Sequence, residues 1–224
     1  MKFLLNEVLE IGSYSNLPRF ADAPADVIDA VLDGGAKFAS EILQPINAIG
    51  DKQGCKRNPD GSVTTPKGFR EAYQQMSDDG WMAISADQEW GGQGLPRVIS
   101  MPFLEMCSSA NMAFSMYPGL TRGAAEAIQT GGSDEQKKTY LTNMMTGKWS
   151  GTMNLTEPQC GTDLGLIRTK AVPQPDGSYK ITGQKIWISG GEQDLAPNII
   201  QLVLARIEGG PEGIKGISLF IVPK

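Results

Sequence analysis

The periodicity of apolar residues changes once along the chain, near residue 148. Before this point apolar side chains recur at helical spacing, as in Val27, Val31 and Leu32. After it, β-branched residues alternate with polar ones and turns are frequent. A helical block followed by a strand block is an α+β order, so we predict a helical domain over residues 1–148 and a β-domain over residues 149–224.

The predicted helices are marked by their first turns. Several apolar stripes share a proline at their start, and these prolines are Pro24, Pro66, Pro96 and Pro118. Proline suits the first helical turn because its missing N–H has no partner there. Pro45 is expected to stop or bend the helix that begins at Pro24. Ser133 followed by Gln136 predicts a capping box for a further helix.

The second block predicts strands rather than β-α-β units. The candidate strands are 149–155, 166–172, 178–182, 185–189, 199–207 and 216–222. No helical pattern separates them, and no G-x-G-x-x-G follows a strand. A dinucleotide-binding domain of the doubly wound type is therefore not expected.

The composition excludes several functional classes. The chain has no histidine, which removes Ser-His-Asp catalysis and every His-containing metal site, so no metal is predicted. Its net charge of −5 argues against a nucleic-acid partner. No apolar run approaches membrane-spanning length, so no membrane partner is predicted. Three cysteines without a CxxC spacing or a secretory signal favour reduced thiols and a cytoplasmic location.

One candidate site segment joins a strand end to a turn. It reads Met153-Asn154-Leu155-Thr156-Glu157-Pro158-Gln159-Cys160-Gly161-Thr162-Asp163. Proline after Glu157 ends the ladder, and Gly161 permits close approach of a flat or bulky ligand. The alternative interpretation is an ordinary strand-end turn in which threonine is simply a good strand former.

A second candidate segment reads Gly183-Gln184-Lys185-Ile186-Trp187-Ile188-Ser189-Gly190-Gly191. On the predicted strand, Trp187 and Ser189 point to the same face. An aromatic plane beside a hydroxyl suits a flat heteroaromatic ligand. The alternative is a core tryptophan of a β-barrel.

Together the two segments, T-E-P-x-x-G-T-D followed by G-x-K-x-W-I-S, resemble the acyl-CoA dehydrogenase flavoprotein family. The resemblance covers essentially the whole chain, and the string from Thr156 to Gly165 is most similar to the bacterial 3-(methylthio)propanoyl-CoA dehydrogenase branch. It implies an N-terminal all-α helical domain, then an incomplete antiparallel β-barrel-like middle domain, with the C-terminal helical bundle absent from these residues. It also implies FAD as the cofactor.

The resemblance implies specific binding residues. For the cofactor these are Met153, Asn154, Leu155, Thr156, Gly161, Thr162, Trp187, Ile188 and Ser189. For the acyl-CoA substrate they are Thr162, Phe103 and Met106, with Glu105 nearby, although apolar residues at this spacing also suit a plain core. Asn154 stands where relatives have a smaller residue.

The implied reaction is α,β-dehydrogenation of an acyl-CoA thioester to a 2-enoyl-CoA. The family's base is a glutamate expected beyond Lys224, and Glu157 and Asp163 match structural positions, so we expect residues 1–224 alone to be inactive. Electron-transfer flavoprotein as acceptor and a homo-oligomer are further expectations. The alternatives are an acyl-CoA oxidase, a nitroalkane-oxidase-like flavoenzyme, or a non-catalytic binding member of the same fold.

Overall fold

The computed structural model describes all residues, Met1–Lys224, and the predicted α+β order is confirmed. The helices are α1 (Ala25–Lys37), α2 (Gln44–Gln53), α3 (Phe69–Asp78), α4 (Arg97–Ala110), α5 (Met112–Gly131) and α6 (Asp134–Met145). A short hairpin of β1 (Lys56–Arg57) and β2 (Val63–Thr64) lies between α2 and α3. None of the helices combines the length and the apolar character needed to cross a bilayer.

Local sequence signals set several helix starts. Helix α4 begins directly after Pro96, as predicted. Before α6, the Gln136 amide donates to Ser133 Oγ at 3.3 Å, and the Ser133 amide donates to Gln136 Oε1 at 2.8 Å. The predicted capping box is thus present, and it satisfies two N–H groups that the first turn leaves without helical partners.

Two proline-based predictions need correction. Pro118 does not start a helix, because it lies inside α5. This helix begins at Met112, where the Asn111 side chain accepts a 3.0 Å hydrogen bond from the Phe114 amide and caps the first turn. Of the two outcomes predicted for Pro45, the stop does not occur, since Phe38–Leu43 continues α1 as π-helical turns into α2, and the proline falls in the first turn of α2.

The sheet is mixed rather than uniformly antiparallel. Its strands are β3 (Ser150–Asn154), β4 (Lys170–Pro173), β5 (Tyr179–Thr182), β6 (Ile199–Ile207) and β7 (Ile217–Pro223). Central β6 pairs in parallel with β3 and, at its other end, with β4, while β7 pairs antiparallel along its opposite edge. Strands β4 and β5 form an antiparallel hairpin. The sheet does not close into a barrel, because β5 pairs with β4 alone.

The predicted strand over 185–189 is wrong. These residues form no ladder, and Trp187 has a left-handed backbone with φ of 57°. The β-branched and aromatic run Ile186-Trp187-Ile188 imitates a strand. Its start is held by the buried Lys185 side chain, and its end enters a turn at Gly190. Side-chain anchoring therefore overrides the local strand preference.

Two apolar clusters make the core. The larger lies among α1 to α5, and the smaller lies between α5, α6 and the sheet. Gly151 on β3 permits the close packing of α5 and α6 on the sheet. A Cβ at this position would lie 2.8 Å from the Met144 side chain and 2.9 Å from that of Ala124. The helices consequently pack directly on the strand that leads into the first candidate segment.

Candidate functional site

The two candidate segments meet beside the end of β3. The Ile186 amide donates to the Thr156 carbonyl at 3.0 Å. The Lys185 ammonium donates to the Leu155 carbonyl at 3.0 Å, and the Thr152 hydroxyl donates to the Ser189 carbonyl at 2.7 Å. Residues distant in sequence are thus joined by three hydrogen bonds into one surface.

A buried carboxylate lies behind this surface. Glu157 accepts hydrogen bonds from Lys185 Nζ at 2.9 Å and from the Thr169 hydroxyl at 2.6 Å. The Arg168 and Thr169 amides donate to it at 2.7 and 3.0 Å, and the Gln159 side chain at 2.6 Å. With every oxygen engaged, Glu157 fixes the loop after β3 rather than facing a ligand.

The protonation state of Glu157 supports the same conclusion. Burial by itself raises the pKa of this carboxyl, but hydrogen bonds from Thr169 and Lys185 and from the two backbone amides outweigh it. The net result lowers the pKa of Glu157 to about 2. Such a group is a poor proton acceptor near neutral pH. Asp163 also has a structural partner, because it accepts the Gly165 amide at 3.1 Å.

Trp187 presents a free aromatic plane. It is 86% exposed, which excludes the alternative that it is a core tryptophan. Ser189 is also exposed, whereas Ile188 is half-buried. The two side chains do not share a strand face as predicted, because the backbone turns between them.

At the end of β3, successive side chains differ in their exposure to solvent. Met153 is 39% exposed, whereas Asn154 is buried at 8% and donates from Nδ2 to Gln201 Oε1. The oxygen of the Asn154 side-chain amide, Oδ1, is buried without a partner. Leu155 and Thr156 are half-buried at the strand end.

The turn after Glu157 leaves open space. Thr162 is exposed, and Gly161 has only the Thr156 side chain near the position of a Cβ, at 3.6 Å. That distance is ordinary van der Waals contact, so the protein itself does not require glycine here. The open space beside the Gly161 backbone would admit a ligand lying against it.

The predicted substrate residues lie in the helical block. Phe103 is buried and stacks on Trp81 at 4.7 Å, and Met106 packs on the same core. Phe103 also borders a cavity of about 130 Å³ between α4 and α5, whose lining includes Ser100, Ser115 and Arg122. Glu105 is exposed. No hydrogen bond links these residues to the two joined segments.

Several site residues were not found by the sequence prediction. Thr152, Gln201 and Thr169 all tether the loops, and Lys185 was recognised only as part of a motif. Their roles depend on contacts between residues distant in sequence, which a local pattern does not encode. The one available signal was that Thr152 and Asn154 are two residues apart on β3, which places both side chains on one face of the strand.

The arrangement fits a flat heteroaromatic cofactor. It offers an exposed aromatic plane, two half-exposed or exposed hydroxyls at Thr156 and Ser189, and an open glycine turn. Its buried carboxylate, Glu157, is fully engaged and is therefore not a free acid or base. The surface formed by the two segments thus resembles a binding surface for a flavin more than a self-contained catalytic centre.

Comparison with known proteins agrees with this geometry. Residues 30–148 match the N-terminal domain of acyl-CoA dehydrogenases, and residues 152–224 match their middle domain. The chain is 47% identical over 222 residues to the 3-methylmercaptopropionyl-CoA dehydrogenase of Ruegeria pomeroyi, and 39% identical over 228 residues to a butyryl-CoA dehydrogenase of Syntrophomonas wolfei.

These matches cover 99% and 100% of this chain, but 38% and 37% of the two relatives. The chain therefore spans less than half the length of these proteins. Among solved structures, an acyl-CoA dehydrogenase complexed with FAD from Bacillus anthracis superimposes with a TM-score of 0.69 at 24% identity, covering 89% of this chain and 32% of that one. On the two domain matches and the fold together, this chain belongs to the acyl-CoA dehydrogenase family.

Proposed function

We propose that this chain binds FAD and takes part in the α,β-dehydrogenation of an acyl-CoA thioester to a 2-enoyl-CoA. The observation that carries the proposal is the contact between the two motif segments, in which the Ile186 amide meets the Thr156 carbonyl beside the exposed Trp187. The family membership and the FAD complex of a protein with this fold support it.

When bound, FAD supplies the acceptor for the hydride that leaves the β-carbon of the acyl group. The chain's own residues bind and orient it. Trp187 covers the ring system, and backbone groups of residues 153–156 bond its polar edge. The hydroxyls of Thr156 and Ser189 donate to it, where aligned donors favour the reduced, more negative form. Gly161 and Thr162 provide the open turn at which cofactor and acyl-CoA meet.

The proton from the α-carbon needs a base that the described site does not offer. Glu157 has its oxygens engaged and a pKa of about 2, and Asp163 holds a turn. We therefore propose that a carboxylate from outside residues 1–224 acts as the base and that these residues alone do not turn over substrate. Dye reduction by the purified chain in the presence of acyl-CoA measures this directly.

The substrate is proposed to be 3-(methylthio)propanoyl-CoA or a similarly short acyl-CoA. The support is the higher identity to the 3-methylmercaptopropionyl-CoA dehydrogenase than to the butyryl-CoA dehydrogenase, 47% against 39%. Electron-transfer flavoprotein is proposed as the acceptor, with a homo-oligomer as the working form. The three free cysteines support a reducing, cytoplasmic setting.

The test is an NMR titration of the chain with millimolar FAD, which detects weak binding. We expect shift changes at residues 153–156 and 187–191 and at the Trp187 indole, and their loss in Trp187→Ala. Trp149→Phe is the control, since it also removes an indole but lies outside the two segments. Shift changes confined to other regions, or equal changes in Trp187→Ala, contradict the proposal.

A further inference from the structure

A tight turn carries Ser189, and we call residues 188–191 the Ser189 turn. The Gly191 amide donates to the Ile188 carbonyl at 3.3 Å, and Gly190 takes a left-handed backbone with φ of 65°. Glycine is favoured there because other residues avoid this conformation. The internal hydrogen bond alone is long for an N–H···O contact, so the turn depends on outside support.

That support comes from two neighbouring side chains of the sheet. The Thr152 hydroxyl donates to the Ser189 carbonyl at 2.7 Å, and Gln201 Nε2 donates to the Gly191 carbonyl at 3.2 Å. Thr152 on β3 and Gln201 on β6 are direct partners in the parallel ladder. Two side chains from adjacent strands thus hold two carbonyls of one turn.

Asn154 determines which way the Gln201 amide faces. Its Nδ2 donates to Gln201 Oε1, which leaves Gln201 Nε2 directed at the Gly191 carbonyl. The reverse orientation of the Gln201 amide would place its oxygen against that carbonyl. Asn154 lies two residues after Thr152 on β3, so both project from the same face.

The Asn154 side chain is only partly satisfied by hydrogen bonds within the chain. Its Oδ1 is buried without a partner, although an apolar residue of the same volume would leave no such group. A buried polar group that is only partly satisfied is better explained by the orientation it imposes than by the stability it adds.

We propose that Asn154 is a positioning residue that acts through Gln201 to hold the Ser189 turn. With Thr152 as the second tether, it keeps the Ser189 hydroxyl and Trp187 in place beside β3. In this proposal the Asn154 side chain acts on the turn rather than on the ligand, which the Asn154 backbone is proposed to bond. The proposal rests on the proposed function for the identity of that ligand, FAD, but the tether is a property of the chain alone.

The experiment follows amide hydrogen exchange in the chain without cofactor. In Asn154→Leu and in Gln201→Leu we expect the Gly191 amide to exchange about tenfold faster, the factor that accompanies loss of one buried hydrogen bond. The Ile186 amide, bonded to Thr156, serves as the internal reference and is expected to keep its rate. Ile221→Ala on β7 is the control for general destabilisation, because Ile221 packs on the smaller apolar cluster between the helices and the sheet.

The double variant decides whether Asn154 acts through Gln201. We expect Asn154→Leu combined with Gln201→Leu to match Gln201→Leu alone, because the tether is already lost. Gln201→Glu keeps an acceptor for Asn154 but replaces the donor to Gly191 with an oxygen, so it is also expected to release the turn. Additive effects, or an unchanged Gly191 amide in these variants, overturn the proposal.

The FAD titration of the same variants separates this proposal from the proposed function. We expect the shift changes at residues 187–191 to weaken in Asn154→Leu and to remain in Ile221→Ala. If the wild-type chain shows no FAD-dependent shifts, the proposed function fails while the exchange rates still decide the role of Asn154. If FAD binds normally and the exchange rates are unchanged, the role of Asn154 fails and the proposed function stands.

Discussion

The Lys185 ammonium lies 2.9 Å from the Glu157 carboxylate, and the two side chains are 9% and 2% exposed. The same ammonium donates to the Leu155 carbonyl at 3.0 Å. One buried ion pair therefore links the strand end that carries Thr156 to the loop that carries Trp187. Because this pair is buried, removing one partner leaves an uncompensated charge in the interior.

We predict that Lys185→Met destabilises the chain by about 3–5 kcal/mol, the usual cost of breaking a buried pair from one side. The Glu157 carboxylate then remains buried with only neutral donors. Urea unfolding followed by circular dichroism measures the change. Arg97→Ala is the matched control, since the Arg97–Glu126 pair is exposed and its loss is expected to be small. Equal changes in the free energy of unfolding for the two substitutions would contradict this prediction.

Acid is expected to weaken the fold through the same carboxyl. The pKa of Glu157 is lowered from 4.5 to about 2, so its folded-state interactions favour the ionised form. That stability is fully present above pH 4.5 and is lost as the pH falls through about 2. Urea midpoints measured over this interval are expected to fall more steeply for the wild type than for Glu157→Gln.

Asp176 provides the control for the acid prediction. Its pKa is also lowered, by hydrogen bonds from the Ser178 hydroxyl and amide, but it lies in an exposed turn. Asp176→Asn is therefore expected to leave most of the pH dependence in place. A pH profile that is flattened by Asp176→Asn and untouched by Glu157→Gln would assign the acid sensitivity to the turn instead.

The three thiols are expected to differ in reactivity. Cys55 is exposed, whereas Cys107 and Cys160 are buried. Burial also raises the pKa of Cys107 to about 12, which suppresses its thiolate. A chromogenic thiol reagent is predicted to label one cysteine in the native chain and all three in denaturant. Cys55→Ser should abolish the native reaction, and persistent labelling in that variant would show that a buried thiol is accessible.

The sequence predicted best where burial is continuous. Strand β6 matches its predicted range, 199–207, because β-branched and apolar residues fill it and most are buried. The strand over 185–189 failed because a charged residue and a glycine turn fix its ends through distant partners. For α5, the prediction placed the start at about Pro118, whereas the structure starts the helix at Met112 with Asn111 as its cap.

For the candidate site, too, some features could be predicted from the sequence and others could not. The two motif segments could be identified from residue order, and their resemblance to the acyl-CoA dehydrogenase family is confirmed by the domain matches. The tethers were not predictable, because Thr152 meets Ser189 and Gln201 meets Gly191 only after the sheet has formed. The parallel pairing of β3 with β6 creates that contact, and it could not be inferred from alternation alone.

Two glycines near the site are predicted to respond differently to alanine. At Gly183 a Cβ would lie 2.3 Å from Thr169 Oγ1 and 2.8 Å from the Thr169 backbone, whereas at Gly161 the nearest atom is 3.6 Å away. We expect Gly183→Ala to cost about 1–3 kcal/mol through overpacking. Gly161→Ala is expected to stay within about 0.5 kcal/mol of the wild type, as for an unstrained surface change.

The glycine pair also separates folding from binding. The fold has room for a methyl group at Gly161. A weakening of FAD-dependent shifts in Gly161→Ala would therefore arise from a ligand that lies against the turn. We predict that Gly161→Ala unfolds at the wild-type urea concentration yet shows weaker FAD-dependent NMR shifts around Thr156. Wild-type shifts in Gly161→Ala would mean that the open turn is not a cofactor contact, and a lowered unfolding midpoint would mean that glycine serves the fold.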